Sequence, residues 1–180
     1  DERIPPPRYY RQAHAALRLA QRRVARRQQG SNRRRKAVLI LQKQHQRVGN
    51  LRRDFHHKTA RALVSRYGIV VHEDLNIRGI ARSRLAKSTH DVAWGAFLTI
   101  LAHKAEEAGV TVIVVPPHHT TQRCSRCGKL PLVAKTLADR EHRCAHCGYV
   151  ADRDVNAAQN ILRLGSSLQD KTCADGQCVS

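Results

Sequence analysis

Four cysteines fall in two Cys-x-x-Cys pairs, Cys124 with Cys127 and Cys144 with Cys147. Two intervening residues let both thiolates of a pair turn toward one point. The 16 residues from Gly128 to Arg143 suffice for a hairpin that sets the second pair opposite the first. Four soft ligands around a tetrahedral point describe a structural zinc site. Gly128 and Gly148 directly follow Cys127 and Cys147, where the backbone of a zinc knuckle turns tightly with φ > 0. Seven residues after Cys147 stands Asp154, in a cluster, Asp152-Arg153-Asp154, that opens a helix. The positive end of a helix favours carboxylates, so a structural cap accounts for Asp152; two caps are not needed.

A second acidic pair, Glu73 and Asp74, ends the run Ile69-Val70-Val71-His72, which reads as a strand buried on both faces of a parallel sheet. Period-two alternation sends the two acids to opposite sides, so only one can face a given site. The carboxyl end of a buried strand is where open α/β sheets place their chemistry. A carboxylate that caps the following turn is the plainer alternative. If the helix opened by Asp154 packs on the sheet edge, Glu73 and Asp154 converge. That is the arrangement of a two-metal nuclease, in which Mg²⁺ ions roughly 4 Å apart clamp the attacking water and the leaving oxygen of a phosphodiester. Hard oxygen donors suit Mg²⁺ as thiolates suit zinc, so the two sites do not compete. Such a site draws on three or more acids, and two are visible.

The elements that must position these groups can be read in order. Ile4 to Pro7 is stiffened by proline and leads into a helix over 8–29, where Tyr10, Leu17 and Val24 recur every seven residues with Ala13 and Ala20 between them. Gly30-Ser31-Asn32 breaks the pattern, and Ser31 or Asn32 can cap a second helix whose seam is Leu41, Val48, Phe55 and Ala62, supplemented by Val38 and Leu51. A short turn makes the two helices antiparallel neighbours, an arm roughly 30 Å long. Asn76 to Thr89 reads as a polar loop, and 91–108 as a helix with Trp94, Phe97, Leu98, Leu101 and Ala105 on one face, core rather than base-stacking platforms. Val110 to Val115 is a second buried strand, which implies a right-handed parallel crossover. His118 and His119 follow; four cysteines already complete a tetrahedron, so nucleic-acid contact suits them better than zinc. The tail 165–180 lacks periodicity and is expected to be disordered, and its Cys173 and Cys178 make a poor zinc pair.

Charge narrows the partners. The chain carries 33 Lys+Arg against 14 Asp+Glu, a net +19, of which +16 lies in residues 1–66. Arg22, Arg23, Arg26, Arg27, Arg33, Arg34, Arg35 and Lys36 gather around the tip of the helical hairpin with no acid nearby to pair them. A solvated face is the bland explanation. Phosphate contact, which gives affinity and salt dependence but no sequence specificity, explains the excess better. No apolar run approaches the ~18 residues of a membrane span, and Asp1 to Tyr10 lack the apolar core of a signal peptide, so an intracellular, reducing location is expected.

The segments VVHEDLNIRGI, TTQRCSRCG and CAHCGYVADRDVNAAQNIL, with the basic hairpin before them, resemble the carboxyl-terminal part of TnpB (OrfB), the insertion-sequence protein related to the type V CRISPR effector nucleases. The resemblance runs from about Asp1 to Leu164 in unbroken order. It implies an α/β fold: a partial RNase H-like, RuvC-type nuclease domain with a long antiparallel helical hairpin and an inserted four-cysteine zinc ribbon. The implied divisions are a basic hairpin over 1–66, a strand-helix-strand core over 67–117, the ribbon over 118–150, a final helix over 151–164 and the tail. It also implies an RNA-guided, transposon-encoded DNA nuclease of prokaryotic cytoplasm and nucleoid, with DNA and a guide RNA as partners. Glu73 and Asp154 become Mg²⁺-binding catalytic residues, and Cys124, Cys127, Cys144 and Cys147 the zinc ligands. The family's first catalytic Asp lies on a strand that precedes this match, and the sequence contains no Met. A missing amino-terminal part is therefore expected, and with it a fragment inactive alone. Two rivals are a non-enzymatic zinc-ribbon DNA- or RNA-binding protein and a structural ribbon of the ribosome or transcription machinery; neither requires Glu73 and Asp154 to meet.

Overall fold

The computed structural model describes residues 4–80, 82, 91–136 and 138–174, apart from the side chains of Arg78 and 170–174. The chain divides into two compact units, one from Glu2–Gly68 with Asn76–Val110, the other from Ile69–Leu75 with Thr111–Ser180. The segment expected to form one strand-helix-strand core is thus shared between them: the helix counts with the basic hairpin, the strands with the cysteines.

The first unit is helical. Helices α1 (Tyr9–Ala25) and α2 (Asn32–Arg66) pack on each other across a turn in which the Ser31 hydroxyl accepts the Arg34 N–H at 3.2 Å and donates to the Gln28 carbonyl. The seam of α1 is as the spacing implies, with Leu17 and Ala20 buried. In α2 the seam drifts. Val48 is buried, but Leu51 is 42 % exposed and Ala62 exposed, while His56 and Ala60 turn inward. A straight helix rotates ~20° per heptad against a 3.5-residue repeat, so a strict seven-residue register fails along 35 residues. The arms are also unequal. At ~1.5 Å per residue α2 reaches about 50 Å, twice α1, and its far half packs on α4 (Trp94–Glu107). Phe97, Leu101 and Ala105 of α4 are buried, and Phe97 meets the His56 ring edge-on at 5.7 Å. Within the expected polar loop, Asn76 caps a short helix α3 (Ile77–Ile80), its Oδ1 accepting the Gly79 N–H; Ala81 and residues 83–90 lie outside the described residues.

In the second unit β1 (Ile69–Glu73) pairs in parallel with β2 (Thr111–Val115), Glu73 opposite Val115. The strands are less buried than their composition suggests, since Ile69 is 40 % and Val114 50 % exposed. Strands β3 (Glu141–Arg143) and β4 (Val150–Asp152) form an antiparallel pair. Helix α5 (Arg153–Ala174) packs on all four strands. It does not stop at Leu164: the tail expected to be disordered continues the helix to Ala174, and only 175–180 fall outside the described residues. Gly165, the first residue of that tail, is a close-approach residue within the helix. A Cβ there would lie 2.5 Å from Val71 Cγ2, so the glycine lets the helix backbone lie on the strand. Among the described residues no helix is long and apolar enough to cross a membrane.

Candidate metal centre and carboxylate site

Two similar turns build the cysteine cluster. In the first, Cys124 N–H donates to Lys129 O at 3.0 Å and Gly128 N–H to Cys124 O at 2.8 Å; in the second, Cys144 N–H donates to Tyr149 O and Gly148 N–H to Cys144 O, both at 2.9 Å. Gly128 (φ 75°) and Gly148 (φ 69°) take the left-handed conformation that their position after each second cysteine requires. The sulfurs lie 3.7 Å apart for Cys124 and Cys147 and 3.6 Å for Cys127 and Cys144, all four ligand atoms within 4.8 Å of one another. Zinc–sulfur bonds of about 2.3 Å in a tetrahedron set sulfurs ~3.8 Å apart, so the donor set fits that ion.

The thiols divide their protons unequally. Burial opposes a charged Cys144, yet the backbone N–H groups of Cys147 and His146 and the neighbouring sulfurs donate to it and bring its pKa down to about 6. At Cys147 the Tyr149 N–H is outweighed by burial and by donation to the other three sulfurs, which push it up to about 12. Metal binding to such a cluster requires deprotonated sulfurs, so a soft dication would release protons on entering it. Beside them Lys135 Nζ meets Nδ1 of the buried His142, and burial lowers the pKa of both.

Two residues without an assigned role in the sequence hold this cluster to α5. Asn156 and Asn160 lie four apart on one helix face, both buried. Asn156 accepts the Ser125 N–H at 2.9 Å and donates to Arg123 O at 2.8 Å; Asn160 donates to Thr120 O at 2.9 Å and to Arg123 O at 2.7 Å. Buried amides that bond backbone groups on both edges fix the first knuckle in one place. In the sequence their i,i+4 spacing already places them on one helix face.

The acids separate as alternation requires. Glu73 is half-buried, its Oε1 accepting the Thr120 hydroxyl at 2.5 Å, whereas Asp74 is exposed and extends the ladder through its N–H to Val115 O. Asp152 is the cap of α5, accepting Asp154 N–H at 2.8 Å and Val155 N–H at 3.4 Å. Asp154 is left free of capping, 68 % exposed, with Arg153 Nε at 3.5 Å. Glu73 and α5 are connected through Thr120 and Asn160; Asp154 lies six residues, about 9 Å along the axis, before Asn160. Among the described residues the cysteines are the sole group of three or more metal-ligand types brought together.

Of the hairpin cations, Arg22, Arg23, Arg26, Arg27, Arg33, Arg35 and Lys36 are exposed. Arg34 is turned back: its Nη1 donates to Val24 O at 3.1 Å and Arg27 O at 3.4 Å, where a cation meets the carbonyls at the end of α1. Arg23, Arg27, Arg33 and Lys36 line a groove of about 530 Å³ floored by Ala20, Ala37 and Ile40. His119 is exposed in the left-handed conformation (φ 60°), and its carbonyl accepts the Gln122 and Arg123 N–H groups, so its backbone makes the turn into the first knuckle. Cys173 and Cys178 lie outside the described side chains.

Comparison with known proteins defines the class. A family model described as "Probable transposase" (OrfB_IS605) matches residues 1–84, and one described as "Cas12f1-like, TNB domain" matches 94–161, placing the chain among transposase-related and Cas12f1-like proteins. The chain belongs to the TnpB (OrfB) family. It is 38 % identical over 181 residues to a Streptomyces pristinaespiralis protein named "Putative RNA-guided DNA endonuclease", covering 97 % of this chain and 43 % of the relative. A TnpB-like protein of Acanthamoeba polyphaga mimivirus is 33 % identical over 132 residues, 69 % of this chain and 25 % of the relative. In a cryo-EM structure of a Cas12f1-sgRNA-target DNA complex, one chain shares the fold with a TM-score of 0.55 at 18 % identity, over 83 % of this chain and 42 % of that one. The chain thus spans less than half the length of these proteins.

Proposed function

We propose that the chain contributes to an RNase H-like, RuvC-type nuclease site of an RNA-guided, transposon-encoded protein, with Glu73 and Asp154 as its Mg²⁺-binding carboxylates and the four cysteines as a structural zinc ribbon. The observation that carries this reading is the tie from Glu73, at the carboxyl end of β1, through Thr120 to Asn160 on the helix that Asp154 opens. Two carboxylates from distant parts of the sequence are thereby held to one scaffold, while Asp152 takes the capping work that Asp154 does not do. Mg²⁺ at such a site supplies charge neutralisation and an activated water for phosphodiester hydrolysis. Bound zinc would fix the knuckle on which Asn156 and Asn160 pull, and the exposed hairpin cations would carry DNA or guide-RNA phosphates.

The test uses Mn²⁺ as a paramagnetic stand-in, titrated into the zinc-loaded, ¹⁵N-labelled chain. Joint broadening of the Asp74 and Val155 amides is expected, lost at both in Glu73→Gln and in Asp154→Asn. Broadening at one position that ignores substitution at the other would show that the acids do not share an ion. A second reading, binding of nucleic acid without cleavage, is favoured by the exposed cations at the tip of the helical hairpin. It expects salt-dependent association and no cleavage of labelled DNA in Mg²⁺, even with Glu73 and Asp154 intact.

A further inference from the structure

Glu73 is a carboxylate with one oxygen spoken for. Its Oε1 accepts the Thr120 hydroxyl at 2.5 Å, and Thr120 is 3 % exposed. A hydroxyl has one proton to give. The alternative acceptor, Pro117 O, lies at 3.4 Å, so the shorter, charge-assisted bond takes the proton. Thr120 is itself held: Asn160 Nδ2 donates to its carbonyl at 2.9 Å and to Arg123 O at 2.7 Å, and the turn at His119 leads directly from it into the first cysteine knuckle. A pinned Oε1 fixes the rotation of the carboxylate and leaves Oε2 to face a cation.

We propose that Thr120 is a positioning residue for Glu73, orienting its carboxylate toward metal and making that orientation depend on the docking of the cysteine knuckle against α5. The inference rests on the reading of Glu73 as a metal-binding residue. Thr120 touches neither ion nor substrate in this arrangement. Hydrogen-bond partners of ligating carboxylates commonly change metal affinity by about 10- to 100-fold when removed, and Thr120→Val removes this donor while keeping the shape of the side chain.

The experiment is the Mn²⁺ titration of the zinc-loaded full chain, followed at the Asp74 amide, in wild type, Thr120→Val, Thr120→Ser and Glu73→Gln, with zinc content measured in each. Thr120→Val is expected to need about tenfold more Mn²⁺ for half-maximal broadening while retaining zinc, and Thr120→Ser to return to the wild-type midpoint. A merely structural role predicts that valine and serine behave alike. If Thr120→Val keeps the wild-type midpoint while Glu73→Gln loses the broadening, the proposal falls and the Glu73 reading stands. If Glu73→Gln changes nothing, both fall. Should Thr120→Val lose zinc, the wild-type chain decides: a slowly exchanging Thr120 hydroxyl proton that becomes fast in Glu73→Gln is expected, and a hydroxyl that exchanges at the same rate in both overturns the proposal.

Discussion

Asp91 closes the amino end of α1 from 81 residues further along the chain: its Oδ1 accepts the Tyr10 N–H at 2.9 Å. Oδ2 accepts the Arg11 N–H at 3.4 Å, and Arg52 Nη2 lies 3.7 Å from Oδ1. The helix has no cap of its own, since Arg8 precedes it in the left-handed conformation with no side-chain bond. A buried carboxylate there satisfies orphan N–H groups, meets the positive end of the helix and pairs with a cation. Asp91→Ala is expected to lower stability by about 2 kcal/mol or more, combining a lost cap with a stranded Arg52, and Asp91→Asn by about half as much. Denaturant unfolding measures both. A loss under ~0.5 kcal/mol for the alanine variant would remove the cap from the account.

His56 gives the same unit a pH dependence. Burial lowers its pKa below 6.5, with Arg52 and His57 adding repulsion against the contact that its Nε2 makes with Val92 O at 2.9 Å. The folded pKa lies below the unfolded one, so the unfolded chain takes up the proton first as pH falls. The contribution of the neutral ring is therefore whole above about pH 6.5 and is lost as pH drops through 6.5 toward the folded value. Unfolding midpoints from about pH 7.5 to 5 are expected to fall more steeply in wild type than in His56→Gln. Parallel curves would mean that the ring titrates alike in both states.

Gly165 and Gly49 are expected to respond to alanine with opposite signs. Both lie inside helices, where alanine is favoured over glycine by up to ~1 kcal/mol. At Gly49 nothing lies within 4 Å of the added Cβ, so Gly49→Ala should stabilise by about 0.5–1 kcal/mol. At Gly165 the Cβ meets Val71 Cγ2 at 2.5 Å and Cγ1 at 2.6 Å, and overpacking of this kind costs about 1–3 kcal/mol, enough to reverse the sign. Denaturant unfolding of the two variants compares them directly. Stabilisation by Gly165→Ala would mean that α5 does not lie on β1 as closely as described.

These sites mark where the sequence was legible. The cysteine spacing and the glycines after each pair could be read because the constraint is local: a knuckle must turn within three residues, and its backbone says so. The parallel pairing of β1 and β2 and the burial of Phe97 and Leu101 followed from period and composition. Asp91, His56 and Gly165 could not be read, because each acts on a segment remote in sequence, and a glycine within a helix looks like its end until the strand beneath is known. Asn156 and Asn160 sit between these extremes. Their spacing marks one face, but only the fold supplies the carbonyls of Thr120 and Arg123 that they bind.

The hairpin offers a separable electrostatic prediction. Arg23, Arg27, Arg33 and Lys36 are exposed around one groove, whereas Arg34 is engaged with the carbonyls of Val24 and Arg27. Each phosphate contact to duplex DNA contributes roughly 0.9 to the slope of log K against log salt, so replacing those four by Gln should flatten the slope by up to about 3.6 units. Arg34→Gln is expected to act differently, lowering stability through the loss of its bonds at the end of α1 while changing the slope little. Fluorescence anisotropy with labelled duplex between about 50 and ~300 mM salt reads the slopes, and circular dichroism reads the stability. An unaltered slope in the fourfold variant would move the phosphate contacts off the hairpin tip. A slope change in Arg34→Gln as large as that of any exposed cation would show that its bonds within the turn yield to the polyanion.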